Sequence, residues 1–105
     1  MNALTRSVAV IALLLTSCGS PTVLEARDYD QSCERGSECV AVFLGDVCNP
    51  CRCNNAAIVA TQAEIFEADA TSARRSCGRV EPVECAPCES RTVVCESQKC
   101  ALSAP

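Results

Sequence analysis

Residues 48–53 read Cys-Asn-Pro-Cys-Arg-Cys, and this density of cysteine decides how the chain can fold. The 105 residues include 11 cysteines but no histidine or tryptophan. Much of the apolar content is alanine or cysteine, so few large side chains remain to build a core. We therefore expect a small domain in which covalent cross-links supply the stability that burial alone cannot supply.

The charge and composition exclude several classes of protein. Nine basic residues stand against 13 acidic ones, a net charge of −4, and no run of positive residues occurs that could bind nucleic acid. Without histidine there is no imidazole base or ligand. The carboxylates of Glu81, Glu84 and Glu89 are not placed as a pair by any predicted element. We predict no enzyme, no catalytic residue, no metal and no cofactor.

The amino-terminal residues predict export. Met1 to Ser7 carries one positive charge, Arg6, and an unbroken apolar run follows from Val8 to Leu15. This run is far shorter than the roughly 18 to 20 residues that a membrane-spanning helix needs. A short charged segment, an apolar run and then small residues are typical of a secretory signal.

The residues that follow the run carry a family resemblance. Leu15-Thr16-Ser17-Cys18 resembles the lipobox of bacterial lipoproteins, and the whole chain resembles small cysteine-rich lipoproteins of Gram-negative bacteria. The resemblance implies that residues 1–17 are a signal peptide, that cleavage precedes Cys18, and that Cys18 is lipidated on its thiol and its new amine. Two or more acyl chains hold a protein stably on a bilayer. Gly19, where Asp would imply inner-membrane retention, implies by analogy the outer membrane, facing the periplasm or the cell surface.

Residues 18–32 are predicted to be the lipidated cysteine and a flexible tether, and residues 33–105 the disulfide-rich domain. The segment from Gly19 to Ser32 contains Gly, Ser and Pro and has little apolar periodicity. The alternative is an ordered arm that docks Val23, Leu24 and Tyr29 on the domain.

With one cysteine assigned to lipid, the remaining number is even, and an even number in an exported chain predicts five disulfides. The disulfide-forming cysteines are Cys33, Cys39, Cys48, Cys51, Cys53, Cys77, Cys85, Cys88, Cys95 and Cys100.

The predicted fold class is small disulfide-rich α+β, with an N-terminal β-hairpin, one amphipathic helix and a C-terminal β-hairpin. The first hairpin runs from Cys39 to Leu44, turns at Gly45-Asp46 and returns through Val47-Cys48. Asn54-Asn55 is predicted to cap a helix over residues 56–75, with Gly78 ending it in the left-handed conformation. The apolar face of that helix is Val59, Ala63, Phe66, Ala70 and Ala73.

The last hairpin is predicted over residues 92–102, with Ser97-Gln98 as its two-residue turn. In that register Glu96 and Lys99 form a hydrogen-bonded pair, and Cys95 faces Cys100 at the closer, non-hydrogen-bonded spacing. A Cys95–Cys100 disulfide follows as a prediction, while spacing alone leaves the other pairings open.

Three cysteine and acidic motifs offer other chemistry. Cys48-Asn49-Pro50-Cys51 and Cys85-Ala86-Pro87-Cys88 have the spacing of zinc ligands or of a redox dithiol, although an oxidising compartment favours disulfides. Asp28, Asp30 and Ser32 begin like a calcium loop, but cysteines occupy the positions that need Gly and Glu.

Three functions remain open at this point. The first is a lipid-anchored envelope module that binds an envelope protein or glycan or has a structural role. The second is a protease inhibitor that uses an exposed loop at Val80–Glu84 or Gly45–Val47. The third is a thiol-disulfide oxidoreductase.

Overall fold

The computed structural model describes residues 22–104, so the predicted signal peptide and the predicted lipid site at Cys18 lie outside the described residues. Short 3-10 turns occur at Ala26–Asp28, Gly36–Glu38 and Ala60–Gln62. In chain order the strands and the helix are β1 Val23–Leu24, β2 Cys39–Val42, β3 Gly45–Asp46, β4 Ala56–Val59, α1 Ala63–Arg75, β5 Val93–Glu96 and β6 Lys99–Leu102.

The strands form three antiparallel ribbons, β1–β3, β2–β4 and β5–β6. The β2–β4 ribbon is central, with Cys39 opposite Val59 and Val42 opposite Ala56. Because side chains alternate along a strand, neighbouring residues of this ribbon face opposite sides. Ala57 and Ile58 are both buried, which shows that the ribbon is covered on both faces.

One face of the ribbon packs against α1. The buried side chains Phe66, Ala70 and Ala73 of the helix join Val42 and Ile58 in the larger hydrophobic cluster. Two small alanine side chains let the helix backbone approach the strands closely, as the apolar spacing predicted. The disulfide-rich α+β class is confirmed.

The other face of the ribbon packs against the C-terminal hairpin through sulfur. Cys33, Cys39 and Cys100 are buried together with Ala57 in the second cluster. This cluster contains no large aliphatic side chain among its fully buried members, so disulfides take the place of an apolar core there.

The predicted tether is wrong from residue 22 onward, because part of it belongs to the domain. Strand β1 pairs with Gly45 and Asp46, and both Leu24 and Tyr29 are buried. Further along, the Cys100 amide donates to the Gln31 carbonyl at 2.7 Å and the Val59 amide donates to the Asp30 carbonyl at 2.9 Å. The ordered-arm alternative is therefore correct for Leu24 and Tyr29, whereas Val23 stays exposed.

The predicted helix is too long at its start. Residues 56–59 form strand β4, and α1 begins at Ala63, so Asn54-Asn55 caps no helix. The β-branched residues Ile58 and Val59 favour a strand, and pairing with β2 buries Ile58 completely. The predicted cap at the end of the helix is also wrong, because Gly78 does not adopt the left-handed conformation. The helix ends instead with the Ser76 amide donating to the Ala73 carbonyl.

The first hairpin also differs from its prediction in its partners. Gly45-Asp46 is not a turn between two halves of one hairpin, since it pairs with β1, while β2 pairs with β4 across a longer connection. Gly45 has a φ of +139°, a conformation that side chains disfavour. The C-terminal hairpin matches its prediction: Cys95 faces Cys100 and Glu96 faces Lys99.

Candidate functional site

All ten cysteines of the described residues form five disulfides. The pairs are Cys33–Cys95, Cys39–Cys100, Cys48–Cys77, Cys51–Cys85 and Cys53–Cys88. The predicted Cys95–Cys100 bond is therefore wrong, although these two residues do face each other across the hairpin. Each of them instead bonds a cysteine from outside the hairpin, which holds the hairpin against the rest of the domain.

Three of the disulfides form a ladder between two segments of chain. Cys48, Cys51 and Cys53 of the first segment bond Cys77, Cys85 and Cys88 of the second in the same order. Residues 78–92 are exposed throughout and contain no helix or strand. We call residues 78–84 the clamped loop, because disulfides at Cys77 and Cys85 fix both of its ends to the short segment 48–51.

The clamped loop offers an apolar surface to solvent. Val80 and Val83 are 44% and 56% exposed. The other loop predicted as a recognition site, Gly45–Val47, is not available in the same way: Val47 is buried and Gly45-Asp46 pairs with β1. Of the two, only the Val80–Glu84 region lies free on the surface.

The ladder changes the chemistry that the two Cys-x-x-Cys motifs were predicted to offer. Neither motif pairs internally, because each of its cysteines bonds a residue of another segment. Within residues 22–104, the three potential metal ligands that lie together are instead Cys33, Cys39 and Cys100, with sulfurs within 4.8 Å of one another. All three are oxidised, and a disulfide sulfur lacks the thiolate charge that binds zinc.

A surface groove lies beside the ladder and the helix. It consists of two adjoining cavities of about 160 and 310 Å³ that share Val47, Arg52 and Arg74. Phe66 lines the first cavity, and Val80 of the clamped loop lines the second. We call this surface the arginine groove, because both arginines line both of its cavities.

Both arginines of the groove are positioned by disulfides and by hydrogen bonds to neutral oxygens. Arg52 lies between two bridged cysteines, and its Nη1 donates to the Val47 carbonyl at 3.1 Å. Arg74 precedes the bridged Cys77 by one helical turn, and its Nη2 donates to Thr71 Oγ1 at 3.3 Å. In the part of the chain that the structure describes, ion pairs involve only Arg27 with Glu25 and Arg35 with Glu38.

Sequence reasoning missed these two arginines as a site. In the sequence, Arg74 is one basic residue near the predicted end of the helix, and Arg52 only separates two cysteines. The sequence does show that each arginine lies within three residues of a cysteine. It does not show that the two arginines are close together, because the disulfide that joins segment 48–53 to the end of α1 cannot be predicted from cysteine spacing.

The acidic motifs have structural or solvated roles. Asp30 accepts a hydrogen bond from the Ser32 backbone amide at 2.8 Å, and this bond lowers the pKa of the Asp30 carboxyl. Glu81, Glu84 and Glu89 are all exposed. Neither motif forms an acid/base pair or a calcium loop.

Comparison of the chain with models of protein families, with curated proteins and with solved structures found no match. Among residues 22–104, no helix has both the length and the apolar character required to cross a bilayer.

Proposed function

We propose that this protein is an exported, lipid-anchored envelope lipoprotein whose disulfide-stapled domain binds a partner in the envelope. Five disulfides in so short a chain indicate folding in an oxidising environment. The lipobox at Leu15–Cys18 and the apolar run before it supply the anchor. The processed chain, without Arg6, would carry a net charge of −5 and face water from the outer membrane.

The observation that carries a binding role is the clamped loop. Disulfides fix this segment at both ends while Val80 and Val83 stay exposed, so it presents a surface of fixed shape to a partner. Fixing it does lower the entropy lost when a partner binds it.

The anchor is tested by Cys18→Ala, with Ser20→Ala as a matched control that keeps the lipid site. We expect the wild type and Ser20→Ala in the membrane fraction, and Cys18→Ala in the soluble fraction. Intact mass of the wild type extracted from membranes should show the lipid, and reduction should add ten hydrogens for five disulfides. Membrane retention of Cys18→Ala to the same extent as the control would refute the anchor.

A second function, inhibition of an extracellular protease, is favoured by the same loop. Recognition loops of such inhibitors are rigid and exposed, and Val80 and Val83 lie on a segment with disulfides at both ends. Incubation with a panel of serine and cysteine proteases tests this function, with Val83→Asp as the loop variant and Ile65→Gln, on the exposed face of α1, as control. The inhibitor function is rejected if every protease keeps full activity.

A further inference from the structure

We propose that the arginine groove binds an acidic peptide segment of a partner protein, in which carboxylates are flanked by apolar side chains. This inference rests on the proposed binding function and names its site and the chemistry of its partner. The argument uses the charges, the shape and the rigidity of the groove.

The charges of the groove favour an anion. Arg52 and Arg74 both line the groove, and among the described residues their guanidinium groups hydrogen-bond only to a carbonyl and a hydroxyl oxygen and form no ion pair. A guanidinium has five donors, so most of its donors are free for a ligand. Glu67 also lines the first cavity, but it forms no ion pair with either arginine in the described part of the chain.

The lining of the groove also offers apolar side chains in each of its two cavities. Phe43 and Phe66 line the first cavity beside the two arginines, and Pro50 and Val80 line the second cavity beside the same two arginines. Volumes of about 160 and 310 Å³ suit single side chains better than a large cofactor. A segment with the order apolar, acidic, apolar therefore matches the groove along its length.

Because the groove is rigid, the protein would lose little conformational entropy when the peptide binds. Arg52 has a disulfide on each side, at Cys51 and Cys53, and the Cys48–Cys77 bond joins its segment to the end of α1. The two guanidinium groups thus project from backbones that are already fixed relative to each other. Bidentate carboxylate binding by preorganised arginine is among the stronger polar interactions.

Fluorescence anisotropy tests the proposal on the full processed protein, extracted from membranes in a neutral detergent. The probe is a labelled peptide Gly-Val-Asp-Glu-Val-Gly, and its control is the amide peptide Gly-Val-Asn-Gln-Val-Gly. We expect saturable binding of the acidic probe that weakens as salt is raised, and no saturable binding of the amide peptide.

The protein variants locate the binding. Arg52→Gln and Arg74→Gln should each weaken binding of the acidic probe by about tenfold, because each removes charged hydrogen bonds. Arg75→Gln removes the same charge from the neighbouring residue, which lines neither cavity, and should leave the affinity unchanged. Circular dichroism of each variant verifies that the fold is retained.

Several outcomes would overturn the proposal. They are failure of the acidic probe to bind, equal binding of the amide peptide, and an equal loss in Arg75→Gln. Sedimentation is run on the wild type and on Arg74→Gln. A wild-type dimer that dissociates in Arg74→Gln would show that the groove binds a second copy of this chain instead of a peptide of another protein. The binding assay itself contains no membrane, and protein recovered from the soluble fraction can be used in it equally well. Failure of the probe to bind is therefore distinct from failure of the lipid anchor, which the Cys18→Ala fractionation reports.

Discussion

Tyr29 shows how much one residue of the N-terminal arm contributes to the domain. Its ring is buried with the centroid 5.4 Å from that of Phe66, and its hydroxyl donates to Asp69 Oδ2 at 2.7 Å. One side chain thus joins the arm to α1 through both an apolar and a polar contact. This explains why residues that read as a tether are part of the fold.

Replacement of the hydroxyl should destabilise the domain modestly. In Tyr29→Phe the ring contact stays and the hydrogen bond is lost, so we expect the free energy of unfolding to fall by about 1 kcal/mol. Urea denaturation followed by circular dichroism measures it. Asp69→Asn keeps an acceptor oxygen and should lose less, and equal losses in the two variants would contradict this explanation.

The same residue predicts a pH dependence. Burial, the hydrogen bond to Asp69, and the charges of Asp69 and Asp28 raise the pKa of Tyr29 above its ordinary value of 10.0. Because the folded pKa is higher than the unfolded one, this contribution is complete below pH 10.0 and is lost as pH rises toward the folded pKa. Wild type should lose more stability than Tyr29→Phe above that pH; parallel curves would contradict the prediction. Tyr29 is the only tyrosine, so near-ultraviolet absorbance follows its ionisation directly.

At the scale of elements, the turn of the C-terminal hairpin has backbone strain that a substitution could relieve. Ser97 and Gln98 have φ values of 49° and 63°, the left-handed conformation that a tight two-residue turn requires. Such a conformation costs a residue with a side chain about 1 kcal/mol or more, whereas glycine adopts it freely.

Gln98→Gly should therefore stabilise the protein by about 1 kcal/mol, measured by urea denaturation. The backbone carbonyl of Gln98, which accepts from the Cys33 amide at 3.1 Å, is unchanged by this substitution. The control is Ser76→Gly at the end of α1, where φ is −85° and glycine should only destabilise, by about 0.5–1 kcal/mol. A loss of stability in Gln98→Gly would show that the side chain has a role the turn does not explain.

The elements also show which parts of the fold local sequence predicts. The turn at Ser97-Gln98 and the apolar face of Phe66, Ala70 and Ala73 are local patterns, and both are confirmed. Residues 56–59 have an apolar pattern compatible with helix or strand, and the choice depends on β2, which lies far along the chain. The arginine groove depends on such distant pairing as well, because a disulfide with a separation of 29 residues joins its two sides.

At the scale of the whole molecule, the five disulfides fall into two groups with different effects. Cys33–Cys95 and Cys39–Cys100 lie in or beside the buried sulfur cluster and span 62 and 61 residues. The ladder disulfides fix an exposed segment that has no core of its own. We therefore expect Cys33–Cys95 and Cys39–Cys100 to determine most of the free energy of unfolding. We expect the ladder disulfides mainly to determine the conformation of the exposed segment.

Paired serine substitutions test this division. Cys39→Ser with Cys100→Ser should lower the free energy of unfolding by about 2–5 kcal/mol, since it removes a disulfide and places two hydroxyls in a buried cluster. Cys53→Ser with Cys88→Ser should cost much less, because Cys51–Cys85 still holds the same segments close together. Thermal unfolding of both double variants checks the order, and an equal or reversed effect would contradict it.

The ladder also determines what cleavage by a protease would do to the protein. If one peptide bond of the clamped loop is cut, the new carboxyl end remains tied through Cys77 to Cys48, and the new amino end through Cys85 to Cys51. The nicked protein would keep its helix, its ribbons and its mass apart from one added water. Cleavage in the clamped loop would thus leave the two fragments joined by disulfides. They would separate, and the cleavage would be detected by electrophoresis, only after reduction.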